Sequence, residues 1–130
     1  MSSMVTRPAK KPTEAELAIL QVLWARGPST VREVAREMGR ENAYTTILKL
    51  LQIMTEKRLV RRDESPRTHV YEAAWSQRET QQWLVTDLLE RVFEGSASTL
   101  VMQALAAKKT SRKELDEIRK LLDQQRGGRR

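Results

Sequence analysis

The segment ENAYTTILKLLQIM, Glu41 to Met54, sets a strip of Thr and Lys opposite an unbroken apolar face. Ile47, Leu50, Leu51 and Met54 follow the i, i+3, i+4, i+7 spacing of a helix that turns one side toward a core. At about 100° per residue, Thr45, Lys49 and Gln52 fall on the opposite side. Asn42 is expected to cap this helix, because its side-chain oxygen suits the unpartnered amides of a first turn.

Upstream, the same logic gives two more helices. S/T-x-x-E capping boxes begin at Thr13, Thr30, Ser76 and Ser111, each pairing a cap hydroxyl with a returning carboxylate. After Thr13, the residues Leu17, Leu20, Leu23 and Trp24 form one apolar side, ending near Gly27-Pro28. After Thr30, a short helix carries Val31, Val34, Ala35 and Met38 and stops at Gly39, a natural left-handed position. Downstream, Leu59-Val60-Arg61-Arg62 and Thr68-His69-Val70-Tyr71 read as two short strands around the polar turn DESPR. Val60, Val70 and Tyr71 are expected to pack, in the core or across the strands.

Beyond Ser76 the pattern is helical again. Val85, Leu88, Leu89 and Val92 form a seam before Gly95-Ser96, Leu100 and Val101 belong to a short helix with Ala104 and Leu105, and Leu115, Ile118, Leu121 and Leu122 mark a last amphipathic helix. The organisation is therefore a basic, disordered arm over 1–12, a first domain over 13–75, a helical region over 76–125 and a frayed tail over 126–130. The fold class is mainly α with a small β-hairpin. The C-terminal seams have little mass of their own and suit packing against a second copy, on Val85, Leu88, Leu89, Val92, Leu100, Val101, Leu115, Ile118 and Leu122. Packing back onto the first domain is the competing arrangement.

Twenty-four Lys and Arg against 17 Asp and Glu give the 130-residue chain a formal charge of +7, which favours a polyanionic partner. There is no cysteine, hence no disulfide framework or thiolate metal site, as suits a reducing cytoplasm. No apolar run approaches the roughly 20 residues that span a bilayer, so no membrane insertion is expected. His69 is the one histidine, and no nucleophile elbow, zincin, phosphate-loop or dinucleotide motif occurs. An enzyme is not indicated, and neither a metal nor a cofactor is expected. Glu14 and Glu16 sit in a helix first turn, where they complement the macrodipole.

A short helix, a tight turn and a helix with one buried and one polar face form the helix-turn-helix layout, whose second helix enters the major groove of duplex DNA. Thr45 and Thr46 suit base edges or a thymine methyl, Lys49 reaches guanine acceptors or phosphate, and Gln52 addresses adenine. Asn42 and Ala43 lie at the helix start, where amides favour phosphate. Tyr44 anchors through its hydroxyl or packs beside the DNA backbone. Lys57, Arg58, Arg61, Arg62 and Arg67 concentrate positive charge around the hairpin, as a wing that grips phosphate or minor groove does. Alternation allows only a subset to meet one duplex. Arg67 is the first choice there, followed by His69 and Arg62, with Lys57 on the flank.

ELAILQVLW, AYTTILKLLQIMTEKRLVRR and RTHVYEA resemble the BlaI/MecI penicillinase-repressor family, and the similarity continues through GSASTLVMQALAAKKTSRKELDEIRKLL. The resemblance implies a winged-helix repressor that binds a palindromic operator as a homodimer through its last helices. It also implies release by an inducing signal such as cleavage by a membrane metalloprotease sensor. The family's scissile pair corresponds to Gln103-Ala104, which departs from the Asn-Phe of the staphylococcal members. The cysteine cluster of copper-responsive relatives is absent, Ile53 stands where an Arg is common, and Arg58 stands where Gly is usual. A sequence-neutral nucleoid-type binder and a winged-helix protein-interaction module are the alternatives.

Overall fold

Hydroxyl-carboxylate caps start four of the six α-helices among the described residues. In the computed structural model, which describes residues 10–128, Thr13 Oγ1 accepts from the Glu16 amide at 3.2 Å and Glu16 Oε1 accepts from the Thr13 amide at 2.9 Å. Thr30 and Glu33 repeat the exchange at 3.1 and 2.9 Å, as do Ser76 with Glu79 and Ser111 with Glu114. Each box satisfies amides at a helix start that would otherwise lack partners. The helices are α1 (Glu14–Arg26), α2 (Val31–Glu37), α3 (Tyr44–Glu56), α4 (Gln77–Arg91), α5 (Ala97–Ala107) and α6 (Arg112–Gly128). An antiparallel hairpin, β1 (Val60–Asp63) with β2 (Val70–Ala73), lies between α3 and α4.

The chain forms two compact units that divide between Leu84 and Val85. In the first, Ile19, Leu20 and Leu23 of α1, Val31, Val34 and Ala35 of α2, and Ile47, Leu51 and Met54 of α3 close on Leu59, Val60 and Tyr71. Burial of each of the larger of these side chains contributes about 1.5–3 kcal/mol. Trp24 Nε1 donates to the Trp75 carbonyl at 2.9 Å, tying α1 to the chain leaving β2. The division falls inside α4 rather than at Trp75-Ser76, because Thr80 is buried and Trp83 packs on the same core.

Helices α2 and α3 end alike. Gly39 and Arg40 donate to Arg36 and Ala35 carbonyls, and Arg58 and Leu59 donate to Thr55 and Met54 carbonyls, the paired bonds of a Schellman motif. Its left-handed residue is Gly39 (φ 68°) in one case and Arg58 (φ 66°) in the other. An L side chain there costs roughly 1–2 kcal/mol. Leu59 and Met54, both buried, supply the apolar contact that accompanies the motif.

Three local expectations need correction. Asn42 does not cap α3: it lies within a 3₁₀ turn, Glu41–Ala43, and the cap position is Ala43, which has no side-chain cap bond. The second strand starts at Val70, leaving Thr68 and His69 in the turn. Its register is Val60 with Ala73 through Asp63 with Val70, extended by an Ala74 amide bond to the Leu59 carbonyl. Tyr71 also exchanges both backbone bonds with Ser29, at 2.9 and 2.8 Å, a bridge invisible to local pattern. Leu50 is half-buried rather than fully buried.

In the second unit α6 runs to Gly128, into the stretch expected to fray, while residues 129–130 and most of the expected basic arm lie outside the described residues. Ser96 caps α5 by accepting from the Thr99 amide at 3.2 Å. No described residue after Thr80 is buried.

Candidate nucleic-acid interface

The buried side of α3 is complete: Ile47, Leu51 and Met54 are each 1% exposed or less. That fixes the helix's rotation. Thr45, Thr46, Lys49 and Gln52 are accordingly all exposed, with Ile53 and Glu56 beside them. Among the described residues Lys49 has no ion-pair partner, so its ammonium is available to a ligand. Asn42 is exposed, whereas Ala43 packs on the core and its amide donates to the Arg40 carbonyl at 2.9 Å, so that amide is not free for phosphate.

Tyr44 has a partner that the sequence reading did not anticipate. The Arg32 guanidinium carbon lies 5.6 Å from the centre of its ring, a cation–π distance, and places an exposed cation of α2 beside the start of α3. Spacing within α2 alone carries no signal for this contact, because Tyr44 belongs to the next helix. Arg36, one turn on, pairs with Glu41 at 3.3 Å.

Strand alternation sorts the wing. Val60, Arg62, Tyr71 and Ala73 share one face, and Arg61, Asp63, Val70 and Glu72 the other. Arg62 thus stands over Tyr71, whose side-chain hydrogen bond, followed by the charge of Glu64 at 2.6 Å, raises its pKa further. Arg61 pairs with Glu72 at 3.5 Å across the strands. Asp63 accepts from the Ser65 amide at 2.9 Å, which holds its carboxyl below the usual range and keeps a negative charge at the turn. Arg67 and His69 are exposed, and Arg67 has no ion-pair partner among the described residues. A cleft of about 530 Å³ beside the wing gathers Arg58, Arg61 and Arg62 around Val60 and Trp75.

Lys57 is the clearest departure from expectation. Its Nζ lies 2.7 Å from Glu16 Oε1, with the two side chains 17% and 3% exposed. The amine closes the end of α3 onto the start of α1, and the Glu16 oxygen it meets is the one that also caps Thr13. Placed there, it anchors the fold instead of facing a ligand. Glu16 is structural, as expected. Among the described residues no three His, Asp or Glu side chains gather as a metal site would require.

Three helices with a two-stranded hairpin after the third define a winged helix-turn-helix domain, here followed by further helices. The penicillinase repressor family model matches residues 12–124. The transcriptional regulator BlaI of Mycobacterium tuberculosis strain CDC 1551 / Oshkosh is 30% identical over 118 residues, covering 88% of this chain and 85% of the relative, and that of strain ATCC 25618 / H37Rv matches identically. The chain belongs to the penicillinase repressor family, the BlaI/MecI group of transcriptional repressors.

Proposed function

We propose that this repressor acts as a homodimer on a palindromic DNA operator. Each subunit sets α3 into a major groove, with the wing tip at Arg67 and His69 alongside on the phosphates. The single observation that carries this is the exposed Thr45, Thr46, Lys49 and Gln52 edge, held in place by a fully buried opposite side. Thr, Lys and Gln together offer donors, acceptors and a cation to base edges. Arg32 and Tyr44 extend the face toward the backbone, and Arg62 contributes charge near the wing. Lys57 supports the site indirectly, by fixing the end of α3.

The apolar surface that the second unit leaves uncovered supports dimerisation. Val85, Leu88, Val92, Val101, Leu115 and Leu122 are between 41% and 62% exposed, and Leu89, Leu100 and Ile118 are half-buried. A second copy covers such a surface symmetrically, and two-fold symmetry demands an inverted-repeat site. Repression works by excluding polymerase, in the cytoplasm where the DNA is. No helix of the described residues is long and apolar enough to cross a membrane. Induction by a membrane metalloprotease sensor is what the family resemblance implies. Gln103 and Ala104 are exposed but lie within α5, so cleavage there needs local unwinding first.

Gel-shift titration against the gene's own upstream region, with competitor DNA at two salt concentrations, tests the proposal. With about six or more phosphates neutralised per dimer, affinity falls at least about 10³-fold between roughly 50 and 200 mM salt. Thr46→Ala and Lys49→Ala change preference among operator bases, by roughly 1–3 kcal/mol per lost contact. Binding that ignores sequence points to a nucleoid-type protein. No salt-dependent binding points to a protein-interaction module.

A further inference from the structure

Ile53 interrupts the polar edge of α3. It is 37% exposed on a helix whose buried side already takes Ile47, Leu51 and Met54 at 1% or less. Measured around the axis from Thr45, Lys49 lies at about 40°, Ile53 at about 80° and Thr46 at about 100°. The isoleucine therefore stands in line with Lys49 and Thr46 rather than on the margin of the core. It lies four residues beyond Lys49 and seven beyond Thr46, so roughly 10 Å along the axis from the latter. Exposed apolar side chains are common one at a time. This one is distinguished by its neighbours, which are the groups assigned to base edges.

A side chain without donors or acceptors reads no hydrogen-bond pattern. In the major groove the apolar feature it can recognise is the C5-methyl of thymine. We infer that Ile53 is a specificity-determining residue that selects a thymine in each half-site by covering that methyl, at a base pair other than the one that Thr46 addresses. The inference rests on α3 being the groove helix, as proposed above. Ile53 is β-branched and hence stiff about its first torsion, so its methyls are presented with little freedom to lose on contact. Glu56, one turn after Gln52 on the same face, ends the stretch with a negative charge that keeps phosphate away.

The test uses the full chain. Selection from a random duplex library yields the preferred site, and each of its thymines is then replaced singly by deoxyuridine, which removes the methyl and leaves base pairing intact. At one thymine per half-site the wild-type protein loses about fourfold in affinity, the factor for burying one carbon. Ile53→Ala binds that site and its uridine form equally, whereas Lys49→Ala binds more weakly overall but keeps the difference. Ile53→Gln, a helix-compatible surface replacement, runs in the same cycle, and circular dichroism verifies that the variants fold. The inference is overturned if a site is selected but every uridine substitution affects wild type and both Ile53 variants alike. Failure to enrich any sequence overturns the sequence-specific reading itself, and this inference with it.

Discussion

Both units of this repressor are built from helices with leucine and valine at helical spacing, yet they use those side chains oppositely. In the first, every buried apolar residue among the described residues lies between Ile19 and Tyr71, enclosed by three helices and a hairpin. In the second, Val92, Met102, Leu121 and Leu122 are each more than half exposed. Amphipathic spacing thus says only that a face will be covered. Whether the cover comes from the same chain depends on how many elements fold around it, and the first unit has the surplus that the second lacks.

The largest effect should come from carrying the same substitution into both units. Leu51→Ala, at a fully buried site, lowers unfolding free energy by about 2–5 kcal/mol in urea titration followed by tryptophan fluorescence. Leu122→Ala, 56% exposed, changes subunit unfolding by about 0.5 kcal/mol or less, while Leu122→Glu shifts sedimentation toward single subunits if the proposed dimer forms on this face. Equal unfolding losses at the two positions would break the comparison.

Next in size is the Glu16–Lys57 pair, the one strongly enclosed ion pair of the first unit among the described residues. Lys57→Ala leaves the Glu16 carboxylate without its cation and costs about 3 kcal/mol. Joint replacement, Glu16→Leu with Lys57→Met, recovers most of that loss in a double-mutant cycle. A smaller change of opposite sign belongs to Arg58→Gly, which relieves the left-handed strain but frees the unfolded chain. The net gain is about 0.5–1 kcal/mol, read as a raised melting temperature.

The smallest expected effect is at Glu33. The Thr30 backbone bond, aided by the charge of Arg26, holds its carboxyl below the usual range in the folded protein. A lowered folded pKa means stability that is present above the unfolded pKa and is lost as pH falls through the folded one. Glu33→Gln keeps the capping geometry without the charge, so its melting temperature should decline less steeply on acidification than that of wild type. Because the side chain is more than one-third exposed, screening keeps the difference modest.

What sequence could tell here tracked the range of each interaction. Cap and box residues act over three positions, so Thr13, Thr30, Ser76 and Ser111 announced their helices directly. The α3 face was equally legible, because Ile47, Leu51 and Met54 alone determine its rotation. The start of α3 was obscured by the 3₁₀ turn, which takes Asn42 out of the cap position. The second strand starts two residues later than expected, at Val70, and its Tyr71 also pairs with Ser29 from far upstream, which local pattern does not carry. Lys57 was grouped with the DNA-facing cations because its partner lies 41 positions away. Arg32 went unnoticed for the same reason: its contact with Tyr44 exists only once α2 and α3 are packed.

The shared Glu16 oxygen has an evolutionary consequence. Because the Thr13 amide and the Lys57 amine meet at one Glu16 oxygen, a lineage that loses the carboxylate strands an amine and half of a capping box in the same step. Positions 16 and 57 should therefore drift as a linked pair across descendants of this chain, while Arg67 and His69, exposed in the turn of the wing, are free to change alone.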